Sequence, residues 1–219
     1  ALELNMSCPH MDRKDMGANL ANDENIISSI LKSVTSAVSV PIWVKLTPST
    51  SQLVDAAKAA YDAGASSISL CNTFPSLPLM DPETMKFEVE VDGLVTSGGL
   101  GGLAILHQAL QRVSDISKYF PDKAISGIGG IRGFREAFNF VAHGAGNLQV
   151  CTAAMEEKGS GGIGVKLIQE LTQDLAEYLE RKGYSSIEDI RGLARDRVVE
   201  HSQVRRKSDS YNGGYSLVS

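Results

Sequence analysis

Short apolar runs alternate along the chain with segments whose apolar residues recur at helical spacing, the pattern of parallel strands joined by crossover helices. Leu2 and Leu4 fit a buried strand that stops before Pro9, which has no N–H to donate. Asn22 is placed to cap a helix with the apolar stripe Ile27, Ile30, Leu31, Val34 and Val38, and residues 41–46 follow as a second strand. Thr50 or Ser51 opens the next helix, Gly64 ends it, and residues 67–71 make a third strand. A polar, Pro- and Gly-rich excursion over residues 74–102 precedes a helix marked by Leu103, Leu106, Leu110 and Val113. Residues 124–126 and 147–150 are the remaining strands, separated by a helix around Phe134, Phe138 and Val141 that stops at Gly144. Val165, Ile168, Leu171, Leu175 and Leu179 mark a long amphipathic helix, with a short one near residues 187–193.

The pairs Gly64-Ala65 and Gly144-Ala145 sit where a helix hands over to a strand, which indicates repeated βα units. The fold class is α/β, and the pattern yields five strands. A closed (β/α)8 TIM barrel has eight strands and typically about 250 residues. Residues 1–198 are therefore expected to carry the fourth to eighth βα units of such a barrel, an N-terminal segment or a second chain supplying the first three. Residues 199–219 read as a polar tail with the basic start Arg205-Arg206-Lys207, a loose end or an oligomer contact.

The 219 residues are 42% hydrophobic with a formal net charge of −5, which offers no basic field for nucleic acid or anionic lipid. No apolar run approaches the ~20 residues of a membrane span, and the first residues lack a secretory signal, so a cytoplasmic protein is expected. A small neutral or anionic substrate remains open. Cys8, Cys71 and Cys151 are far apart and show neither metal nor iron–sulfur spacing. Cys71 and Cys151 read as small buried hydrophobes; Cys8 differs in its polar neighbours.

In a parallel barrel the carboxyl ends of the strands carry the chemistry. Collecting only those ends gives Asn5, Ser7, Cys8 and His10; Lys45 and Thr47; Asn72 and Thr73; Gly129 and Gly130; and Thr152. The two carboxamides suit a flat heterocycle with alternating N–H and C=O groups. Lys45, inside an apolar run, needs a partner, either an anionic or electron-rich cofactor or a carboxylate of the barrel. Gly127-Ile128-Gly129-Gly130 lets a backbone approach a phosphate closely, and Thr152 adds a hydroxyl and a helix-start N–H. Residues 159–164 satisfy G-x-G-x-x-G, but no strand ending in an acidic residue follows, and they read as a flexible insertion.

The segments Leu2-Glu3-Leu4-Asn5-Met6-Ser7-Cys8-Pro9-His10, Val44-Lys45-Leu46-Thr47-Pro48 and Cys71-Asn72-Thr73 carry a resemblance, as do Gly98-Gly99 with Gly101-Gly102. Ile125-Ser126-Gly127-Ile128-Gly129-Gly130 and residues 144–155 complete it. With these, the chain resembles the flavin-binding barrel shared by dihydroorotate and dihydropyrimidine dehydrogenases, and His10 places it nearer the second group. The resemblance implies FMN, with Lys45, Gly101, Gly102, Gly129, Gly130, Cys151 and Thr152 as its binding residues. It implies Asn5, Ser7, His10, Asn72 and Thr73 around a pyrimidine ring, and Cys8 as the general acid. A thiol is largely protonated at neutral pH, as a proton donor needs. Residues 10–23 would form a lid. The implied reaction reduces the 5,6 double bond of uracil or thymine. Dihydroorotate oxidation, with Arg13 or Lys14 anchoring a carboxylate, is the alternative on the same scaffold. Iron–sulfur centres and FAD are expected, if at all, only on a partner reductase subunit, and an oligomer is expected. A further alternative is a half-barrel without catalysis that serves as an interaction subunit.

Overall fold

The computed structural model describes residues 1–8, 23–155 and 163–204. Five short strands form one parallel sheet in the order β1 (Leu2–Met6), β2 (Ile42–Leu46), β3 (Ser67–Leu70), β6 (Ala124–Ile128), β7 (Asn147–Gln149). The helices α1 (Glu24–Ala37), α2 (Leu53–Asp62), α3 (Leu106–Tyr119) and α4 (Phe134–Ala142) connect consecutive members of that sheet. A single turn, α5 (Thr152–Met155), and the long α6 (Ile163–Lys182) follow β7. Between β3 and α3 the excursion forms a small antiparallel pair, β4 (Phe74–Ser76) and β5 (Gly98–Leu100), which the sequence pattern did not indicate. Strands of three residues containing Pro75, Gly98 and Gly99 carry no β signal of their own.

Parallel register fixes which residues share a face. Asn5 pairs with Lys45, Lys45 with Ser69, Ser69 with Ser126, and Ser126 with Asn147. With side chains alternating, one face presents Glu3, Asn5, Lys45, Ser69, Ser126 and Gln149, and the other presents Leu4, Val44, Ile68, Leu70 and Ile125. The apolar face packs on the helices. Val44, Ile68, Leu70, Leu31, Ile27, Val113, Ile116 and Phe140 are all fully buried there. Each such side chain contributes about 1.5–3 kcal/mol by leaving water.

Two helix starts differ from expectation. Asp23, not Asn22, caps α1 by accepting the N–H groups of Asn25 and Ile26, and Asn22 lies outside the described residues. Helix α2 begins at Leu53 after Gln52, which makes no side-chain cap; Thr50 Oγ1 instead accepts the Gln52 N–H at 3.0 Å and shapes the approach. The two Gly-Ala handovers stand as expected. Gly64 and Gly144 have φ of +102° and +116°, which only glycine adopts cheaply, and Ala145 behind Gly144 is fully buried.

Candidate active site

β1 and β3 flank β2, and the side chains after their carboxyl ends meet. Asn72 Nδ2 donates to Ser7 Oγ at 2.8 Å and lies 3.2 Å from Asn5 Oδ1. Ser7 closes the group by donating its hydroxyl to Asn5 Oδ1 at 2.8 Å and its N–H to the same oxygen at 3.2 Å. Asn72 Oδ1 accepts the Thr73 N–H at 2.8 Å. Asn5, Ser7, Asn72 and Thr73 thus form one hydrogen-bonded cluster, with the half-buried Cys8 next along the chain. His10, Arg13, Lys14 and most of the expected lid lie outside the described residues, as do residues 156–162 of the glycine-rich stretch and 205–219 of the tail.

Lys45, Gly101, Gly102, Gly129, Gly130, Cys151 and Thr152 all line a single cleft, which Asn72 and Thr73 of the cluster line as well. The glycines are there for space. Gly130 has a φ of +76°, and a Cβ on it would stand 2.9 Å from the Gly102 carbonyl oxygen and 2.9 Å from Leu106 Cβ. A Cβ on Gly102 would meet Thr152 Cγ2 at 3.1 Å, so the segments after β5, β6 and β7 close on one another only because they lack side chains.

Gly127 departs from the phosphate role given to its segment: it lies inside β6, where a Cβ would come 2.6 Å from Phe140, so it serves packing against α4. Thr152 opens only the four-residue turn α5, too short for a useful helix dipole, which leaves its hydroxyl as its contribution. Cys151 is exposed, against its reading as a buried hydrophobe, whereas Cys71 is buried as expected. Burial pushes the Cys71 thiol up to about 12, against the opposing charge of Arg112. The cleft also draws in Arg132, Ile105, Ile128 and Gln149, which strand-end reasoning did not collect.

Lys45 has a carboxylate partner on the neighbouring strand: its Nζ is 3.1 Å from Glu3 Oε1. Glu3 Oε2 accepts from Ser69 Oγ at 2.5 Å and from Gln149 Nε2 at 2.8 Å. Gln149 Nε2 also reaches Ser126 Oγ at 2.9 Å. Burial pushes the Glu3 carboxyl up, but hydrogen bonds from Ser69, Gln149 and Lys45, with the lysine charge, outweigh it and hold the group below the usual glutamate value. The signal for this layer was present as polar–apolar alternation within β1 and β3, and the polar members become neighbours only once the register is known.

A parallel sheet with polar groups gathered at its carboxyl ends, above a glycine-lined cleft, defines an α/β protein built on barrel-type βα units. Residues 1–177 match the family described as dihydroorotate dehydrogenase, and the chain belongs to that family, whose fold is the TIM barrel and whose members are FMN-dependent dehydrogenases acting on pyrimidines. A chloroplastic dihydropyrimidine dehydrogenase (NADP(+)) of Arabidopsis thaliana is 30% identical over 217 residues, covering 96% of this chain and 50% of that protein. The catalytic subunit of dihydroorotate dehydrogenase B (NAD(+)) from Petrotoga mobilis is 34% identical over 192 residues, covering 88% of this chain and 59% of the subunit. The NAD-dependent dihydropyrimidine dehydrogenase subunit PreA of Escherichia coli is 28% identical, covering 94% of this chain and 49% of that subunit. The chain therefore spans about half the length of the curated relatives it matches. Among the described residues, no helix is long and apolar enough to cross a membrane.

Proposed function

We propose that this chain carries the fourth to eighth βα units of an FMN-dependent barrel that reduces the 5,6 double bond of a uracil- or thymine-like pyrimidine. The observation that carries the reading is the Asn5–Ser7–Asn72–Thr73 cluster, next in sequence to Cys8 and sharing Asn72 and Thr73 with the glycine cleft. Two carboxamides held edge to edge present both donors and acceptors, which is what an imide-containing ring requires.

The residues of the cleft fit a flavin mononucleotide. Gly129 and Gly130 line the cleft with bare backbone and pack closely on Ala109, Leu106 and the Gly102 carbonyl, Thr152 supplies a hydroxyl, and Lys45 supplies a cation at the floor. When bound, FMN supplies the hydride to one carbon of the ring double bond. Asn5 and Asn72 orient the ring, Ser7 and Thr73 fix those carboxamides, and Cys8 holds the proton at Sγ that passes to the neighbouring carbon. Residues 10–23 would complete the enclosure as a lid, with His10 against the ring.

In this reading residues 199–219 form a tail outside the barrel, and electrons come from a partner reductase subunit that carries any FAD and iron–sulfur centres. Dihydroorotate oxidation is the second reading, favoured by the similarity to dihydroorotate dehydrogenase B catalytic subunits. The test is flavin content and turnover of the purified protein. Released FMN, with uracil or thymine reduced and dihydroorotate untouched, supports the first reading; dihydroorotate consumed in their place supports the second. A folded, flavin-loaded protein inert towards all of these overturns both.

A further inference from the structure

Beneath the cleft, each of the five parallel strands contributes one side chain to a single polar layer: Glu3 from β1, Lys45 from β2, Ser69 from β3, Ser126 from β6 and Gln149 from β7. Glu3 is its hub. One carboxylate oxygen faces the lysine at 3.1 Å, and the other takes the Ser69 hydroxyl at 2.5 Å and the Gln149 amide at 2.8 Å. Gln149 is itself pinned, its Nε2 lying 2.9 Å from Ser126 Oγ and 3.1 Å from Ser69 Oγ. The carboxylate is therefore fixed from β3 and β7, and the flexible four-carbon stem of Lys45 is tied to it. Lys45 and Gln149 both line the cleft, so this layer is its floor.

We propose that Glu3 is a positioning residue that holds the Lys45 ammonium at the floor of the cleft and cancels its charge there, so that a bound flavin faces an ion pair rather than a bare cation. This rests on the reading of the cleft as a flavin site. A cation close to a flavin favours the reduced, more negative form, so the electron affinity of the cofactor is set by how fully the lysine is neutralised. The side chains of Lys45 and Glu3 are 21% and 26% exposed, enclosed enough for the pair to be screened less than a surface pair. The Glu3 carboxyl lies below its usual value, so it stays ionised at neutral pH and the pairing persists there.

Glu3→Gln keeps the shape and most of the hydrogen-bonding capacity while removing the charge. In the FMN-loaded complete barrel, the midpoint potential should rise by the equivalent of about tenfold in the two-electron reduction equilibrium, ~30 mV. In the flavin-free protein, the rate at which Lys45 reacts with an amine-directed ester, mapped by mass spectrometry, should rise several-fold because the ammonium is no longer held. Glu3→Asp retains the charge but shortens the reach; it should give intermediate Lys45 labelling and the smaller potential shift, and it serves should Glu3→Gln fail to fold. A potential unchanged in the flavin-loaded variants overturns charge cancellation, and an unchanged labelling rate overturns positioning. A wild-type complete barrel, with the segment or chain that supplies its first three βα units, that takes up no FMN instead overturns the flavin reading, and the labelling experiment still decides whether Glu3 holds Lys45.

Discussion

Asn72, just past β3, places its Nδ2 2.8 Å from the hydroxyl of Ser7, just past β1, across 65 positions of sequence. That contact joins two strand ends separated by β2 and brings two carboxamides together. On the proposed reading, Asn72→Ala should raise KM for the pyrimidine at least tenfold with a smaller effect on kcat, because the ring would lose a binding partner but not its proton donor. The fold should lose only about 1 kcal/mol, the worth of a partly exposed hydrogen bond. Steady-state kinetics beside a urea titration separate the two effects; a kcat loss with KM unchanged would contradict the assignment.

On the proposed reading, Gly130→Ala should damage the part of the cleft that would hold the FMN phosphate. The left-handed backbone and the contacts a Cβ would make with the Gly102 carbonyl and Leu106 both oppose any side chain. A destabilisation of about 1–3 kcal/mol is expected from the strained backbone. FMN affinity should fall much more than riboflavin affinity, since only FMN carries the phosphate, and fluorescence titration with both ligands reads this directly. Equal losses would move the phosphate elsewhere.

The cysteines should differ in chemistry. Burial pushes the Cys71 thiol up to about 12, so it stays protonated and shielded at mildly alkaline pH, while Cys151 is exposed. Timed alkylation of the native protein with peptide mapping should modify Cys151 at least tenfold faster than Cys71. Modification of Cys71 at a comparable rate would show that this part of the core opens readily.

Stability should fall on mild acidification through His143. It ends α4 with its Nδ1 buried and without a hydrogen-bond partner among the described residues. Burial, then the charge of Lys118, holds its pKa below the ordinary histidine value. The folded state therefore binds fewer protons than the unfolded chain once pH drops below about 6.5, and stability is lost from there down towards the folded pKa. Melting temperature should decline between about pH 7.5 and 5.5 more steeply in wild type than in His143→Gln. Parallel slopes would remove His143 as the cause.

Much of this architecture was legible in the sequence because its strands are short apolar runs bounded by glycine, proline and polar turns. The two Gly-Ala handovers fall where a left-handed residue must end a helix, so those boundaries could be placed closely. What escaped was decided at longer range. The β4–β5 pair has no propensity to announce it. Asp23 and Asn22 are equally good caps on paper, and the backbone selected Asp23. Asn5, Ser7, Asn72 and Thr73 came together at one cluster, and Lys45, Gly129, Gly130 and Thr152 at one cleft, since parallel strands all deliver their carboxyl ends to one side. Glu3 escaped because it lies inside β1, and Gln149, the last residue of β7, because the strand was expected to run on to residue 150; their meeting across 146 positions requires the register of the whole sheet.

The alternation of the strands divides labour between the two sides of one sheet. Apolar side chains on the helix side supply most of the cohesion, while the groups suited to binding and proton transfer stand at the opposite side or the strand ends. Changes in ligand preference can then accumulate through the polar side while the scaffold beneath them keeps its margin. For a protein of this design, that makes substrate choice evolutionarily mobile and fold conservative, so relatives that turn over different rings can share one set of helix-facing residues.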